Sequence, residues 1–454
     1  MFGKKGTFMA NLARRLIWGA FVVVSVALFH SNAGAQVLPS QGEGAHLGAQ
    51  TCAGSTCHGA VQPWPNSSVL QNEAVTWANH DKHSKAYAVL ASERGKRIAD
   101  NLGVADPQKA GLCLDCHADN VPEQRRSKNF KISEGVTCEA CHGGAERWLG
   151  VHVSGIGGHK DNLAAGMYPT EQPVARAKLC LSCHYGNSDK FVTHRIMGAG
   201  HPRLSFELDT YTASQPAHFR VDADYIQRKG RTNGVKTWAI GQAVAVQETL
   251  TALTDKERNK DGIFPELVFF DCHACHHPMS NLRWQPRETV GLGPGVPRLN
   301  DGNLIMLRLV AGVIDPALGE RIESQTLQLH QASADGHAAT LAAANTLKET
   351  LQGMISKVSS HDFMGDEMAK ILDVLITNGL QGDYADYIGA EQATYAIATI
   401  VAAMQSANKL DGEALKAVND GLEAAYKAVA NDESYRPQEY MDALRVVQVA
   451  VRSR

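Results

Sequence analysis

Five short motifs, each made of two cysteines with a histidine directly after the second, constrain this chain more than any other feature. Four have the spacing Cys-X-X-Cys-His, and the first is stretched by two residues to Cys-Ala-Gly-Ser-Thr-Cys-His. Together they contain all ten cysteines of the 454-residue chain. In chain order the motif residues are Cys52, Cys57 and His58; Cys113, Cys116 and His117; Cys138, Cys141 and His142; Cys180, Cys183 and His184; and Cys272, Cys275 and His276.

This spacing is typical of covalent c-type haem attachment, in which two thiols add to the haem vinyl groups and the histidine binds the iron. Disulfides and zinc are the alternatives. A disulfide framework suits short secreted chains that cannot build a core, whereas this chain is long enough to bury a large one. Neither disulfides nor zinc would place a histidine after the second cysteine of every pair. We therefore predict five covalently attached haems, with the motif cysteines as attachment points and the motif histidines as iron ligands.

The N-terminus has the features of an export signal. Four basic residues within the first 15 precede an apolar run over 16–29, and small residues suitable for cleavage end at Ala35. An uncleaved anchor is the alternative, which an apolar run this short disfavours. We predict a signal peptide over 1–35, a periplasmic or extracellular location, and no stable membrane span after cleavage. Because haem is attached outside the cytoplasmic membrane in bacteria, the signal and the motifs support each other.

Histidines outside the motifs decide whether each iron has a second axial ligand. A helix predicted over 74–92 brings His83 close to Trp77 and Tyr87 on one apolar face, with His80 one turn earlier as the alternative. Further along, Met197 could also bind an iron, although apolar packing explains it better. Five histidines stand in positions suited to a distal ligand: His83, His152, His194, His201 and His218. Two imidazoles per iron leave no vacancy for a substrate, whereas one missing distal ligand would open a catalytic site.

The distribution of motifs and apolar stripes predicts the fold class and its divisions. We expect a mainly α chain: a multihaem cytochrome domain with little regular sheet, followed by a C-terminal α-helical bundle of five or six helices. The predicted boundaries are a flexible lead-in over 36–50, a pentahaem domain over 51–290, a Pro- and Gly-rich linker over 291–303 and the bundle over 304–454. The three histidines of the bundle are expected at the surface: His330, His337 and His361.

The order and surroundings of the motifs carry a family resemblance. The matching stretches are the stretched first motif, Trp77 with His83-Ser84-Lys85-Ala86-Tyr87, Cys-Leu-Asp-Cys-His-Ala, Gly-Val-Thr-Cys-Glu-Ala-Cys-His-Gly with Trp148-Leu149 and His152, Cys-Leu-Ser-Cys-His, Ala199 to Glu207, and Phe270 to His277. In these the chain resembles the cytochrome c-554 group, within the larger class related to hydroxylamine oxidoreductase. The resemblance implies haems stacked in close pairs on a mostly helical scaffold, and it carries the distal role onto His83. Two departures are the fifth motif and the C-terminal helical region.

Three functions remain in competition. The first is an electron carrier that works between redox protein partners, with no catalytic residue of its own. The second is a haem-dependent oxidoreductase acting on a small nitrogen or sulfur compound at one five-coordinate haem. The third is a subunit of a larger haem complex, oligomer or filament. The absence of a Cys-X-X-Cys-Lys motif lowers the second, and a net charge of −3 without a basic tract argues against nucleic acid as a partner. We expect the electron carrier.

Overall fold

The computed structural model describes residues 37–231, 233–255, 264–276, 287 and 289–452, and the predicted signal peptide lies outside these residues. Within them the chain is mainly helical, with two isolated β-bridges and no strand, which confirms the expected fold class. The α-helices are α1 Ala49–Cys52, α2 Glu73–His80, α3 Glu93–Leu102, α4 Gly111–His117, α5 Cys138–His142, α6 Leu149–Ser154, α7 His159–Ala164, α8 Pro173–His184, α9 His194–Gly198, α10 Leu208–Ser214, α11 Ala223–Lys229, α12 Gly234–Thr254, α13 Gly302–Ile314, α14 Pro316–Asp335, α15 His337–Thr350, α16 Met354–Ser360, α17 Asp366–Leu380, α18 Tyr387–Ser406, α19 Gly412–Ala428 and α20 Pro437–Arg452. Short 3₁₀ helices occur at Lys82–Lys85, Ala88–Ala91, Glu123–Arg125, Ile132–Glu134, Leu267–Phe269 and Cys272–Ala274.

Helix α12 lies at the centre of the hydrophobic core. Its sequence is apolar on nearly all sides, and Val235 and Trp238 are fully buried, as expected for a helix without a polar face. It packs against α8 and against four helices of the C-terminal part: α13, α15, α16 and α18. Because α8 ends in the fourth motif, this packing connects that motif directly to the core.

One continuous core joins the two parts of the chain that the sequence analysis separates. Its buried residues extend from Ala177 in α8 to Val451 in α20, and α12 and α13 pack against each other across the predicted linker over 291–303. The division into a pentahaem domain and a bundle domain stays a prediction. From Gly302 onwards the described residues form eight helices, α13 to α20, where five or six were expected. Helices α15 and α16 are separated at Gly353, which has a left-handed φ of 80°.

The part of the chain that carries the first three motifs buries few large apolar side chains. Among the described residues, its one apolar cluster is small and consists of Leu90, Leu114 and Ala118. Bound haem would add apolar surface to this part of the chain. None of the helices in the described residues has the length and apolar character that a membrane span needs.

The helix predicted over 74–92 is interrupted at Asp81. Helix α2 ends at His80, and Asp81 is extended, with φ −85° and ψ 126°. Its carboxylate accepts a hydrogen bond from the backbone N–H of His83 (3.0 Å) and caps the 3₁₀ helix Lys82–Lys85. A side chain that bonds to nearby backbone in this way competes with helix continuation, which periodicity alone does not reveal.

Candidate functional site

Three of the five motifs form the last turn of an α-helix. Helices α4, α5 and α8 end at His117, His142 and His184. Residues three and four positions apart share one face of a helix, so both thiols and the imidazole of each motif point to the same side. The fifth motif begins with the 3₁₀ helix Cys272–Ala274 and closes with His276 N–H donating to the Cys272 carbonyl (2.8 Å). None of the ten cysteines is disulfide-bonded.

The stretched first motif closes in the same way despite its two extra residues. The backbone N–H of His58 donates to the Cys52 carbonyl (3.1 Å), as the histidine of the fifth motif does to its first cysteine. The extra residues form a tight turn, in which the N–H groups of Cys57 and Gly59 both donate to the Gly54 carbonyl (2.8 and 2.9 Å). The insertion is therefore absorbed without moving the histidine away from the first cysteine.

Four motif histidines each lie opposite a histidine from outside the motifs. The distances between ring centres are 5.9 Å for His58 and His152, 6.3 Å for His117 and His201, 5.9 Å for His184 and His83, and 6.0 Å for His276 and His194. All four partners are among the five predicted distal ligands.

These distances fit a metal ion between the rings. A bond of about 2 Å to each nitrogen places two facing nitrogens about 4 Å apart and the ring centres roughly 6 Å apart. The angle between ring planes varies from 14° for His58 and His152 to 89° for His83 and His184. Because both ring planes contain the metal–nitrogen axis, either angle is compatible with axial coordination.

The remaining motif histidine is His142 of the third motif. The charge of the fifth predicted ligand, His218, acts on it. Burial, followed by the charge of His218, lowers the pKa of His142 to about 4. Its imidazole is therefore neutral at pH 7, the form that binds a metal. The structure thus brings four motif histidines opposite four different predicted distal histidines, and it places His218 close enough to His142 for an electrostatic interaction.

Hydrogen bonds at Nδ1 orient several of these rings. An acceptor at Nδ1 fixes the proton there and leaves Nε2 free to bind a metal, the arrangement that metal-binding histidines usually have. The contacts are His58 to Glu73 Oε2 (2.9 Å), His83 to Asp81 Oδ1 (2.8 Å), His117 to the Ala86 carbonyl (2.9 Å), His201 to the Pro202 carbonyl (2.8 Å) and His218 to the Pro216 carbonyl (3.2 Å).

The pKa values differ between the two rings of a pair. Burial lowers the pKa of His152 and of His184, which favours their neutral forms. The hydrogen bond that His58 donates to Glu73 raises the pKa of His58, opposite His152. A carboxylate partner acts in the same direction on His83, opposite His184. These two pairs therefore each combine one ring that favours the neutral form with one ring held by an anion.

Contacts between cysteines show which motifs are neighbours. The thiol of Cys52 in the first motif is hydrogen-bonded to that of Cys138 in the third. This hydrogen bond, together with burial, raises the pKa of Cys52. Cys116 in the second motif lies in the same way beside Cys183 in the fourth. Cys141 in the third motif is also close to Cys183. The spatial order of these motifs is therefore first, third, fourth, second.

The fifth motif is connected to this row through residues 190–203. The Lys190 ammonium lies 3.1 Å from the Cys183 sulfur of the fourth motif and donates to the Asp115 carbonyl of the second. Four residues later, His194 faces His276 of the fifth motif. The segment that contacts the second and fourth motifs thus also supplies the histidine opposite the fifth.

A buried cluster at His46 was missed by the sequence analysis. His46 is fully buried, its Nδ1 lies 2.8 Å from Asp119 Oδ2, and its Nε2 lies 3.2 Å from Arg125. Beside it, Glu139 of the third motif accepts hydrogen bonds from three backbone N–H groups: Leu47 (2.8 Å), Gly48 (2.7 Å) and Ala145 (2.7 Å). Both oxygens of Glu139 are engaged and Arg125 lies against the imidazole, so the cluster does not suit a metal ion. It anchors residues 45–48 to the third motif and to Asp119, two residues after the second motif.

Two other histidines behave differently from the paired ones. His80, the alternative to His83, is exposed, and no histidine ring faces it in the part of the chain that the structure describes. The expected surface position of His330 is wrong, because its Nε2 lies 3.0 Å from the buried carboxylate of Asp301. His330 belongs to a buried ionic network, which a lone histidine in a helical pattern does not reveal.

Comparison with known proteins gives one match. Residues 51–143 match the model of the family described as Cytochrome c554 and c-prime, a range that contains the first three motifs. No curated protein and no solved structure matches the chain. The match supports a c-type cytochrome with covalently bound haem that takes part in electron transfer with redox protein partners. The relation to hydroxylamine oxidoreductase and the presence of five haems stay predictions.

Proposed function

We propose that this chain is an exported electron carrier with five covalently attached haems, each bound by a histidine on both faces. The observation that carries the proposal is the pairing of four motif histidines with four different histidines from outside the motifs. The charge of His218 acts on the fifth motif histidine, His142, which supports the same arrangement there. With both axial positions taken, no iron has a vacancy for a substrate. This favours an electron carrier over an oxidoreductase that acts on a small nitrogen or sulfur compound.

The residues divide into attachment points and axial ligands. The ten motif cysteines would form the thioether bonds. The axial pairs would be His58 with His152, His117 with His201, His142 with His218, His184 with His83, and His276 with His194. Bound haem would supply one-electron redox chemistry at each site. The Nδ1 hydrogen bonds hold the rings ready for coordination and limit the rearrangement that a change of charge requires.

The neighbouring positions of the motifs support transfer between two protein partners. The first, third, fourth and second motifs adjoin in that order through their cysteines, and residues 190–203 connect the fifth. Such a row of adjoining sites suits a carrier that accepts electrons from one redox protein and delivers them to another. The predicted signal peptide over 1–35 would place this carrier in the periplasm or outside the cell.

Haem content and spin state test the proposal together. The intact mass of the exported protein should exceed that of the chain starting at Gln36 by five haems, and a pyridine haemochrome assay should give five haems per chain. Electron paramagnetic resonance of the oxidised protein should show low-spin haem throughout. A substantial high-spin signal that shifts on addition of nitrite or hydroxylamine would contradict the electron-carrier function. A content of four haems per chain would show that the stretched first motif binds no haem.

Substitution of single histidines tests the pairing. His83→Ala should convert one haem to high spin and leave the haem content at five, because His83 is not an attachment residue. His80→Ala is the matched control: it lies three residues away, is exposed and should leave the spectrum unchanged. If both variants give the wild-type spectrum, His83 is not a ligand. The same comparison applies to His152, with exposed His80 again as control.

A further inference from the structure

Two of the proposed axial histidines differ from the others in the group that accepts their Nδ1 proton. His83 and His58 donate to carboxylates, whereas His117, His201 and His218 have backbone carbonyls as partners. The two carboxylates also differ. The Asp81 side chain is only 4% exposed, whereas Glu73 beside His58 is 18% exposed. The Asp81 carboxylate itself is therefore less screened by water than that of Glu73.

Asp81 is held as an ionised carboxylate that cannot leave His83. It accepts three hydrogen bonds: Oδ1 takes the backbone N–H and the Nδ1–H of His83 (3.0 and 2.8 Å), and Oδ2 takes the side-chain amide of Gln215 (2.9 Å). The same residue ends α2 and caps the 3₁₀ helix that contains His83. Local backbone and ring orientation are thus set by one side chain.

A carboxylate at Nδ1 makes the opposite ring nitrogen a stronger donor. Partial transfer of the Nδ1 proton toward the anion raises the basicity of Nε2, and the negative charge itself favours the more positive oxidation state of a nearby metal. Both effects stabilise ferric over ferrous iron, so both lower a reduction potential. A backbone carbonyl has no net charge and gives the smaller effect.

We propose that Asp81 is a positioning residue that lowers the reduction potential of the haem at the fourth motif, through its hydrogen bond to His83. This inference rests on the proposed function, because it requires His83 and His184 to be the axial pair. Glu73 acts in the same way on the first motif, more weakly because it is more exposed. The reduction potentials of the haems are then unequal. The potential at the fourth motif is lower than it would be without the charge of Asp81.

Asp81→Asn isolates the charge from the shape. The asparagine oxygen can still accept from His83, and Gln215 can turn its own oxygen toward the new amide, so the local geometry is retained. In a spectroelectrochemical titration, one haem should become easier to reduce, with a roughly tenfold change in its oxidised-to-reduced ratio at fixed potential, or about 59 mV. The same haem should show a changed low-spin resonance. Asp81→Glu, which keeps the charge, should restore much of the wild-type potential.

Asp115→Asn is the matched control. It removes one negative charge within the second motif, but its carboxylate accepts from the Asn120 side chain and not from an axial histidine. A shift as large as that of Asp81→Asn would show that net charge alone is responsible, and the proposal would fail. The His83→Ala spectrum distinguishes a failure of the role of Asp81 from a failure of the axial pairing. Loss of one low-spin haem in His83→Ala with unchanged potentials in Asp81→Asn refutes the role of Asp81 and leaves the pairing intact. An unchanged His83→Ala spectrum refutes the pairing itself.

Discussion

Glu139 occupies a variable position of the third motif, yet it is 1% exposed and accepts three backbone hydrogen bonds. The informative perturbation is Glu139→Gln, which keeps the shape and removes the charge. The amide oxygen can replace Oε1 and keep the bonds to Leu47 and Ala145. The amide nitrogen would then face the N–H of Gly48, where two donors meet without an acceptor.

The magnitude follows from these contacts. Two hydrogen bonds change from charged to neutral acceptors, at about 1 kcal/mol each, and one buried donor loses its partner, at about 1–3 kcal/mol. The expected loss of local stability is about 3–5 kcal/mol, which corresponds to at least a roughly 100-fold rise in the population of the opened segment. Global unfolding of a chain this long need not be two-state, so the assay should read local opening.

Native-state hydrogen exchange on the haem-loaded protein gives that local reading. Peptides that cover 45–48 and 138–146 should exchange faster in Glu139→Gln, while peptides of the C-terminal helices should not change. Glu146→Gln is the control, because Glu146 is exposed and accepts one bond from the same segment, at Ala45 N (2.8 Å). Its expected cost is below about 1 kcal/mol. Equal exchange in the two variants would refute the anchoring role of Glu139.

Two further predictions concern the first motif and the buried ionic network. Gly59→Ala should reduce the haem content measured by mass to four per chain. A side-chain carbon there would lie 2.0 Å from the Ala53 carbonyl oxygen and would open the turn that closes the stretched motif. Gly111→Ala, which has open space around it, should keep all five haems. Arg287→Met should lower local stability by about 3–5 kcal/mol in native-state hydrogen exchange of the peptides around Asp301 and Asp386, because these carboxylates would be left buried without their shared partner. Arg228→Met, which removes an exposed pair with Asp224, should leave the exchange around Asp224 nearly unchanged. Equal losses in the two arginine variants would contradict the ascribed role of the network.

The sequence predicted the members of the proposed sites better than their arrangement. The motif spacing is a local signal, because three- and four-residue steps determine which side chains share a helical face. The five distal candidates stand near glycine, proline or aromatic residues between the motifs, and this local signal is weaker. Which distal histidine faces which motif depends on how distant segments pack. For example, His83 precedes its partner His184 by about a hundred residues, and nothing local to either specifies the other.

Polar contacts between distant segments were the least predictable part of the structure. His46, Asp119 and Glu139 meet from three separate stretches, and no periodicity marks any of them as buried. Similarly, Asp81 lies inside a segment with good helical periodicity, and only its side-chain hydrogen bonds to His83 explain why the helix ends there. In both cases hydrogen bonding overrides the local preference on which the sequence predictions rest.

The C-terminal helices, which carry no motif, support the sites at the fourth and fifth motifs. In α8 one face sends Ala177 and Leu181 into the core, while the end of the helix carries His184. The ring of Phe206 lies 4.7 Å from that of His184, and Gln392 in α18 donates to the Phe206 carbonyl (3.2 Å).

A second set of contacts runs to the fifth motif. Asp386, at the start of α18, contacts Arg298 (3.3 Å), and Arg298 contacts Asp271 (3.3 Å), the residue directly before Cys272. Both motifs are therefore fixed by α18 and its N-terminal cap. A rigid support of this kind keeps the distance between facing imidazoles constant, which an iron that changes oxidation state without changing ligands requires. The helices α13 to α20 thus complete the apolar core to which α8 and α12 of the motif-bearing part contribute.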